Sequence, residues 1–319
     1  MDRFYRLAPV HRLERWLNAM PHPSTVIEIA PDHVAAAQWS NTGGNLESYA
    51  TESLPTGSVM PSPMETNVTQ PDAVRSALRR VFARVTNRGS SAALLIPDPV
   101  ARVFILPFES LPRRRDEALP LLRWRLKKSV PFDVDETVLS WMRQTGRLDN
   151  LEIIVAIARE RIIREYEEIL EGLDTRVAVV MSSTLATLPL LEETGSSLLV
   201  RMSGKTLTTA IVQDSNLCVY RSSEMTSEAG ALEPQAMLEE IFPAVAYFQD
   251  TFEGSITHAR LAGFGAHPEI YCDALATEMK VETSPLADSP EGRRLDTSAK
   301  SLVRQNMDAL VGWMMNGAA

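Results

Sequence analysis

The chain has few of the residues that build metal sites, disulfide frameworks or nucleic-acid interfaces. Its two cysteines, Cys218 and Cys272, are far apart, and its five histidines form no spaced cluster. We therefore expect free thiols, a reducing compartment and no metal site. The net charge of −9 argues against a general nucleic-acid binder, because neutralising phosphates takes an excess of cations.

Long apolar runs and local catalytic motifs are also lacking. No run approaches the roughly 20 apolar residues needed to cross a bilayer, and the N-terminus lacks the apolar core of a signal peptide. The chain contains no G-x-S-x-G elbow, no P-loop and no full G-x-G-x-x-G. We expect neither a membrane span nor an enzyme recognisable from one short motif.

What the sequence does contain is an internal repeat. The segment EIAPDHVAAAQW aligns with VRMSGKTLTTAIV, and GGNLESYA aligns with SNLCVYRS. Each copy reads as three strands joined by two turns and followed by helices, which predicts a duplicated α/β architecture. A length of 319 residues with 45% hydrophobic content is typical of a soluble protein of about two domains.

The most informative stretch lies between the two copies. A basic cluster at Arg113 leads into an amphipathic helix with Leu119, Leu122 and Leu126 on one face. Pro131 ends that helix, and an acidic link leads to an alternating run that predicts a strand. We interpret this stretch as the centre of an interaction module.

That stretch, WRLKKSVPFDVDETVLSW, resembles the PilM family of type IV pilus assembly proteins, which shares the actin-like fold with the division protein FtsA. The resemblance extends in order over LESYATESLPTGSV, the second three-strand copy, LAGFGAHPEIYCDAL and the closing LVGW helix. It implies an actin-like, ribonuclease H-like duplicated fold with mixed sheets and an inserted α+β subdomain. The expected division is an N-terminal amphipathic segment (1–23), a first half (24–107), an inserted α+β subdomain (108–182), a second half with a shortened lid (183–297) and a C-terminal helix packed back on the first half (298–319).

The departures from the family pattern lie in the turns that hold nucleotide. In this family an Asp-Ile-Gly turn followed by Ser or Thr wraps phosphates and positions magnesium, and its glycine lets N–H groups approach the anion. The first turn here carries Glu28, Ala30, Pro31 and Asp32. It lacks the glycine, and Pro31 has no N–H to donate.

The second turn and the adenosine turn depart as well. Arg201 stands where the family has Asp, ahead of Ser203, Gly204 and Lys205. Arg201 and Lys205 either hold a phosphate as point charges or are solvated cations of a tight turn, and we favour the latter. The glycine pair of the adenosine turn is interrupted, as Gly263 and Gly265 flank a phenylalanine, and these glycines alternatively end a strand and start a helix.

These departures, with a short connection from Arg221 to Pro234 in place of a lid, predict a pseudo-ATPase without catalytic residues, cofactor or metal. By resemblance, the chain is expected to be a cytoplasmic scaffold, peripheral to the inner membrane, that binds the N-terminal peptide of a PilN-like membrane protein. The rival expectations are an active switch or ATPase that binds ATP and magnesium, and a cytoplasmic component related to the type II secretion platform. Oligomeric state is not predicted.

The partner peptide is expected in a groove between the first half and the inserted subdomain, as an extended strand added to a sheet edge. The residues predicted to line that groove are Leu122, Arg123, Leu126, Val130, Phe132 and Trp141. Ordinary core packing is the alternative for each apolar member. Residues 1–20, with four arginines among apolar residues, either contact an anionic membrane surface or cap the domain.

Overall fold

The computed structural model describes residues 22–40, 45–85, 90–145 and 151–315. The predicted N-terminal amphipathic segment lies outside these residues except for its last two positions, so its proposed membrane contact stays a prediction. Three sheets organise the described residues, two of five strands and one of three. Among the helices in this part of the chain, none has the length and apolar character to span a bilayer.

The strands and helices have the following bounds. The strands are β1 (Thr25–Ile29), β2 (His33–Trp39), β3 (Leu46–Ser53), β4 (Ser91–Ile96), β5 (Arg102–Phe108), β6 (Thr137–Thr145), β7 (Leu151–Arg159), β8 (Arg176–Ser182), β9 (Ser196–Ser203), β10 (Thr206–Gln213), β11 (Asn216–Glu224), β12 (His258–Ala262) and β13 (Glu282–Pro285). The helices are α1 (Pro71–Arg84), α2 (Arg115–Leu126), α3 (Glu160–Ile169), α4 (Ser183–Thr187), α5 (Pro234–Phe252), α6 (Glu269–Met279), α7 (Pro290–Arg294), α8 (Thr297–Arg304) and α9 (Asp308–Met315).

The two five-stranded sheets have the same topology. The first has the order β3-β2-β1-β4-β8 and the second β11-β10-β9-β12-β13. In each, the first three strands of the copy pair antiparallel, and the fourth and fifth continue the sheet in parallel. The central strands β1 and β9 are buried along almost their whole length, as expected where helices cover both faces of a sheet. The duplication predicted from the sequence is therefore confirmed.

The inserted subdomain is built differently from its predicted boundaries. Its sheet has the order β5-β7-β6, so it begins at β5, within residues assigned to the first half. Its predicted last strand, β8, instead pairs with β4 in the first sheet. The chain leaves the first sheet after β4 and returns beside it, which makes β8 an edge strand.

The C-terminal region contains two helices where the periodicity predicted one. Asn306 adopts a left-handed conformation with φ of 63°, and the Met307 N–H bonds the Leu302 carbonyl at 2.9 Å, which closes α8 with a typical C-terminal cap. The following helix, α9, packs against α4 and reaches β1 and β2 of the first half. Its buried Trp313 donates an indole hydrogen bond to the Pro23 carbonyl at 3.1 Å.

Candidate functional site

A buried guanidinium lies where the two halves meet. Arg201, at the end of β9, is only 3% exposed and is surrounded by Glu28 of β1, Asp98 of the single 3-10 turn after β4, and Asp308 of α9. We call these four residues the Arg201 cluster. Its members are separated by 103 or more positions from Arg201 in the sequence, so the cluster joins the first half, the second half and the C-terminal helix.

The ion pairs of the cluster have unequal geometry. Arg201 Nε donates to Asp308 Oδ2 at 2.7 Å and Nη2 donates to Glu28 Oε1 at 3.3 Å. Nη1 lies 3.7 Å from Asp98 Oδ2, which is an ion-pair contact without a hydrogen bond. Burying the charged guanidinium of Arg201 removes it from water, and the three surrounding carboxylates compensate for this loss of solvation.

Hydroxyl groups complete the shell of the carboxylates. Asp98 accepts hydrogen bonds from the Thr184 N–H at 2.9 Å, the Thr184 hydroxyl at 2.6 Å, Thr208 at 3.0 Å and Tyr220 at 2.8 Å. Ser183 donates to Glu28 Oε1 at 2.7 Å, and Thr187 donates to Asp308 Oδ2 at 2.6 Å. The helix α4, which follows the edge strand β8, therefore holds all three carboxylates in place.

Charge within the cluster is unbalanced, because one guanidinium faces three carboxylates. Burial raises the pKa of Glu28, although the charge of Arg201 opposes the shift. Burial would lower the pKa of Arg201, but the charges of Asp308, Glu28 and Asp98 outweigh it and raise the pKa. Among the described residues, Glu28 Oε2, Asp308 Oδ1 and Arg201 Nη1 have no hydrogen-bond partner. Proton uptake at Glu28 is the change that relieves this excess of negative charge.

The prediction that Arg201 is a solvated cation is therefore wrong. Its side chain points into the interface between the halves because β9 is buried on both faces and Asp308 accepts its hydrogen bond. Lys205, two residues beyond the strand, is the exposed cation of that turn. Sequence reasoning also missed Asp98 and Asp308; the one available signal was a carboxylate set in an otherwise apolar run, IPDPV in one case and DALVGW in the other.

The two turns that hold phosphate in the related family touch one another here. Gly204 has φ of +56°, and a Cβ at this position would lie 3.2 Å from the Pro31 ring carbons. The first turn is tight, since the Ala30 N–H bonds the His33 carbonyl at 2.9 Å. Asp32 is turned outward and bonds the His33 ring at 2.8 Å, a hydrogen bond that lowers the pKa of Asp32. Ser203, half-buried at the end of β9, begins the second turn. The space between the turns is therefore closed at this point.

The third departure, at the expected adenosine turn, has a packing explanation. Gly263 has φ of +81°, and a Cβ there would lie 1.8 Å from the Met202 carbonyl oxygen. Phe264 is buried in the core of the second half, where its ring lies 4.6 Å from that of Tyr271. Gly265, with φ of +71°, faces open space. The end of β12 at Gly263 therefore approaches β9 closely, and Phe264 packs in the core of the second half.

A polar cleft of about 920 Å³ adjoins the two turns. Its walls include Asp32, Lys205 and Arg102, together with the proline-rich connection from Thr56 to Pro63. No group of three or more metal-ligating side chains occurs among the described residues. Lys205, Arg102 and Arg221 are the cations that line this cleft, and Arg221 already pairs with Glu240 at 2.8 Å. The carboxylates of the Arg201 cluster are likewise already paired with a guanidinium.

A second, apolar groove of about 370 Å³ lies between the first half and the inserted subdomain. One wall is the edge strand β8, from Val177 to Ser182, and the other includes Val138 and Ser140 of the edge strand β6. Most of the lining is aliphatic; Glu167 is the charged residue in it. Among the described residues β8 pairs on one side only, and an apolar edge strand of this kind invites pairing with another chain through its remaining N–H and C=O groups.

The groove also reaches the Arg201 cluster. Ser182, the last residue of β8, lines the groove, and its hydroxyl lies 3.2 Å from the Tyr220 hydroxyl. Tyr220 in turn bonds Asp98. The end of the groove is thus fixed by the same hydrogen-bond network that joins the two halves.

The residues predicted to line this groove lie on the other side of the three-stranded sheet. Leu122, Leu126 and Val130 are buried between α2 and the sheet, so these positions are corrected from partner contact to core packing. The alternation of β6 explains the error: Leu139 packs towards α2, and its neighbours Val138 and Ser140 point the opposite way, into the groove.

The other three predicted partner residues also belong to the α2 side. Phe132 is half-buried against the same core. Arg123 pairs with Asp135 at 3.8 Å. Trp141 lies beneath the guanidinium of Arg115, 4.7 Å from the ring centroid. None of these side chains lines the groove, which is formed by residues that the sequence did not single out.

The duplicated five-stranded sheets and the insertion after the first copy are the features of the actin-like fold, as expected from the resemblance. No protein-family model matches the chain, and no curated protein matches it. Among solved structures, a chain of the PilM–PilN type IV pilus biogenesis complex matches with a TM-score of 0.73 and 16% identity, over 94% of this chain and all of that one.

Two further solved structures are similar at lower scores. A Bacteroides thetaiotaomicron protein with an actin-like ATPase fold matches with a TM-score of 0.49 and 12% identity, over 84% of this chain and 92% of that one. The cytoplasmic domain of EpsL, an inner-membrane component of the type II secretion system of Vibrio cholerae, matches with a TM-score of 0.47 and 12% identity, over 75% and 81% of the two chains. The match to the PilM–PilN complex shows the fold, and the residues of the site have to indicate the function.

Proposed function

We propose that this chain is a non-catalytic scaffold of a type IV pilus assembly platform at the inner membrane. In this proposal it binds the cytoplasmic N-terminal tail of a PilN-like membrane protein in the apolar groove between β8 and β6. The observation that carries the proposal is the edge strand β8, which is apolar from Val177 to Met181 and faces a second edge strand across the groove. The matched structure is a complex of PilM with PilN.

An extended tail fits this groove for two physical reasons. The free edge of β8 offers main-chain N–H and C=O groups, which supply affinity without depending on sequence. The aliphatic walls, including Val138, Ala156 and Val179, accept alternate apolar side chains of the tail. A short apolar peptide is therefore favoured over a charged one, because burying an unpaired charge there would be costly.

The absence of nucleotide chemistry is part of the proposal and rests on the Arg201 cluster. Arg201 is buried beside the two turns that hold phosphate and magnesium in the related family, and its positive charge would repel a magnesium ion there. The close contact between Pro31 and Gly204 also narrows the space through which a phosphate would reach the two turns. We infer that Arg201 holds the two halves together in place of a bound nucleotide.

Calorimetry with a synthetic N-terminal tail of the PilN-like protein tests partner binding. Val138, which is 41% exposed, and Ala178, which is half-buried, both line the groove, and neither belongs to the hydrophobic core of the first half. Val138→Lys and Ala178→Lys should therefore weaken binding of the tail by about tenfold or more. Tyr49→Lys on β3, the opposite edge strand of the first sheet, is the matched control and should bind as wild type does. A folded wild-type protein that does not bind the tail would contradict the proposal.

Thermal unfolding with Mg-ATP tests the proposed absence of nucleotide binding. A ligand present at a hundred times its dissociation constant adds about 2.7 kcal/mol to the free energy of unfolding. We expect no shift of the melting temperature. A shift of that size would favour the alternative, an ATP-binding switch of the same fold, with Lys205 and Arg102 in the polar cleft as the cations on the phosphates.

A further inference from the structure

The outer face of α2 carries an exposed tryptophan ringed by cations. Trp124 is 75% exposed, whereas Trp39 and Trp313 are buried. Leu121 is 45% exposed one turn before it, and Arg125 is exposed beside it. Leu121 lies three residues before Trp124 and four before Arg125, so these side chains share one helical face, and Trp124 points away from the buried Leu122.

Positive charge is concentrated around this tryptophan. The segment 113–128 contains seven arginines and lysines and two acidic residues, although the whole chain has a net charge of −9. Some of these cations are already used: Arg114 pairs with Asp116, and Arg115 covers Trp141. No carboxylate of the described residues lies within ion-pair distance of Arg125, Lys127 or Lys128, and all three are exposed.

Stabilisation of the helix explains only part of this arrangement. Cations near the C-terminus of α2 interact favourably with the helix dipole. That effect does not account for Trp124, whose ring contributes little to folding when three quarters of it is exposed. Tryptophan flanked by lysine and arginine is typical of the interface of a bilayer, where the ring lies among headgroups and the cations meet lipid phosphates.

We infer that the outer face of α2 binds directly to an anionic lipid bilayer. Trp124 and Leu121 enter the headgroup region, while Arg125, Lys127 and Lys128 contact the phosphates. A protein partner is less well supported, because two exposed apolar side chains on one helix are far short of the roughly 800 Å² per side of a stable interface. This contact is independent of tail binding, since the groove lies on the opposite face of the three-stranded sheet from α2.

The contact between α2 and the bilayer also fixes the orientation of the inserted subdomain relative to the membrane. With α2 on the bilayer, β6 and the groove lie one sheet layer away from the lipid headgroups. A short tail emerging from a membrane protein would then reach the groove without a long linker, because an extended chain covers about 3.3 Å per residue.

Co-sedimentation of the full chain with vesicles tests the inference. The probes are vesicles of phosphatidylcholine alone and of equal parts phosphatidylcholine and phosphatidylglycerol. We expect binding only to the vesicles that contain phosphatidylglycerol, with loss at high salt. Trp124→Ala should weaken binding on the order of tenfold, and the double variant Arg125→Gln/Lys128→Gln by about 25-fold, at roughly fivefold for each cation.

Two exposed residues elsewhere supply matched controls. Phe242→Ala removes an aromatic side chain that is 63% exposed on α5, and Arg79→Gln removes an exposed cation of α1. Both should bind vesicles as wild type does. Quenching of tryptophan fluorescence by brominated lipid should be present in wild type and largely lost in Trp124→Ala.

Three results would overturn the inference. One is no binding to phosphatidylglycerol vesicles, as expected if the face serves an acidic protein. Another is equal binding to both kinds of vesicle. The third is wild-type binding by the α2 variants, which would assign the lipid contact to residues 1–20 instead.

Discussion

Removing the charge of Arg201 should destabilise the protein more than any surface substitution. Arg201→Met keeps much of the side-chain volume and leaves Glu28, Asp98 and Asp308 buried without a counter-ion. Two hydrogen bonds to charged groups are lost, at about 1.5–3 kcal/mol each. Breaking a buried ion pair by deleting one partner costs about 3–5 kcal/mol, so we expect a loss of that size.

Calorimetric unfolding measures this loss. For a chain of 319 residues with an unfolding entropy of about 2.1 cal/mol/K per residue, it corresponds to a fall in melting temperature of about 4–8 °C. Arg293→Met, on the exposed side of α7, is the control and should leave the melting temperature within about 1 °C.

A compensated variant separates charge from packing. Glu28→Gln and Asp308→Asn, added to Arg201→Met, remove two of the three stranded charges and should recover a large part of the lost stability, because the penalty comes from uncompensated buried charge. An Arg201→Met variant whose free energy of unfolding lies within about 1 kcal/mol of the wild-type value would contradict this prediction. So would a triple variant that is less stable than Arg201→Met alone.

Three further predictions concern the same interface. Glu28 has a raised pKa in the folded protein, so its contribution to stability is present in acid and is lost as the pH rises through that pKa. Glu28→Gln should remove this dependence, so the difference in melting temperature between wild type and variant should grow as the pH is lowered towards the ordinary glutamate pKa of 4.5. Tyr220→Phe deletes a hydrogen bond to the buried Asp98 carboxylate and should cost about 1.5–3 kcal/mol in urea unfolding, and a cost near zero would contradict the role given to the hydroxyl. Gly263→Ala places a Cβ against the Met202 carbonyl oxygen at a positive φ, so we expect a loss above about 3 kcal/mol or failure to fold, and wild-type stability would refute the close approach.

Much of the architecture could be predicted because it repeats. Two copies of a three-strand pattern at matching positions indicate a duplicated sheet, and the topology of the two sheets bears this out. The boundaries of the inserted subdomain were harder to predict. β5 pairs with β7 of the inserted sheet and β8 pairs with β4 of the first sheet, but both are short apolar strands whose sequences suit either sheet.

The site was less accessible from the sequence for a physical reason. Arg201 was identified as a departure, but its burial depends on Asp98 and Asp308, which lie 103 and 107 positions away. Likewise, Leu122 and Val138 both belong to an amphipathic pattern, and only the packing of α2 on one face of the three-stranded sheet shows which of them is accessible. Periodicity indicates which residues share a face, and tertiary contacts decide what covers it.

The proposed docking of an extended tail on β8 is tested most directly by hydrogen exchange of the full chain with and without the synthetic tail peptide. The account predicts new protection of backbone amides between Val177 and Ser182, since an added strand would bond the free edge of β8. Protection confined to the polar cleft around Lys205, or a tail that binds and leaves the amides of β8 unchanged, would contradict it.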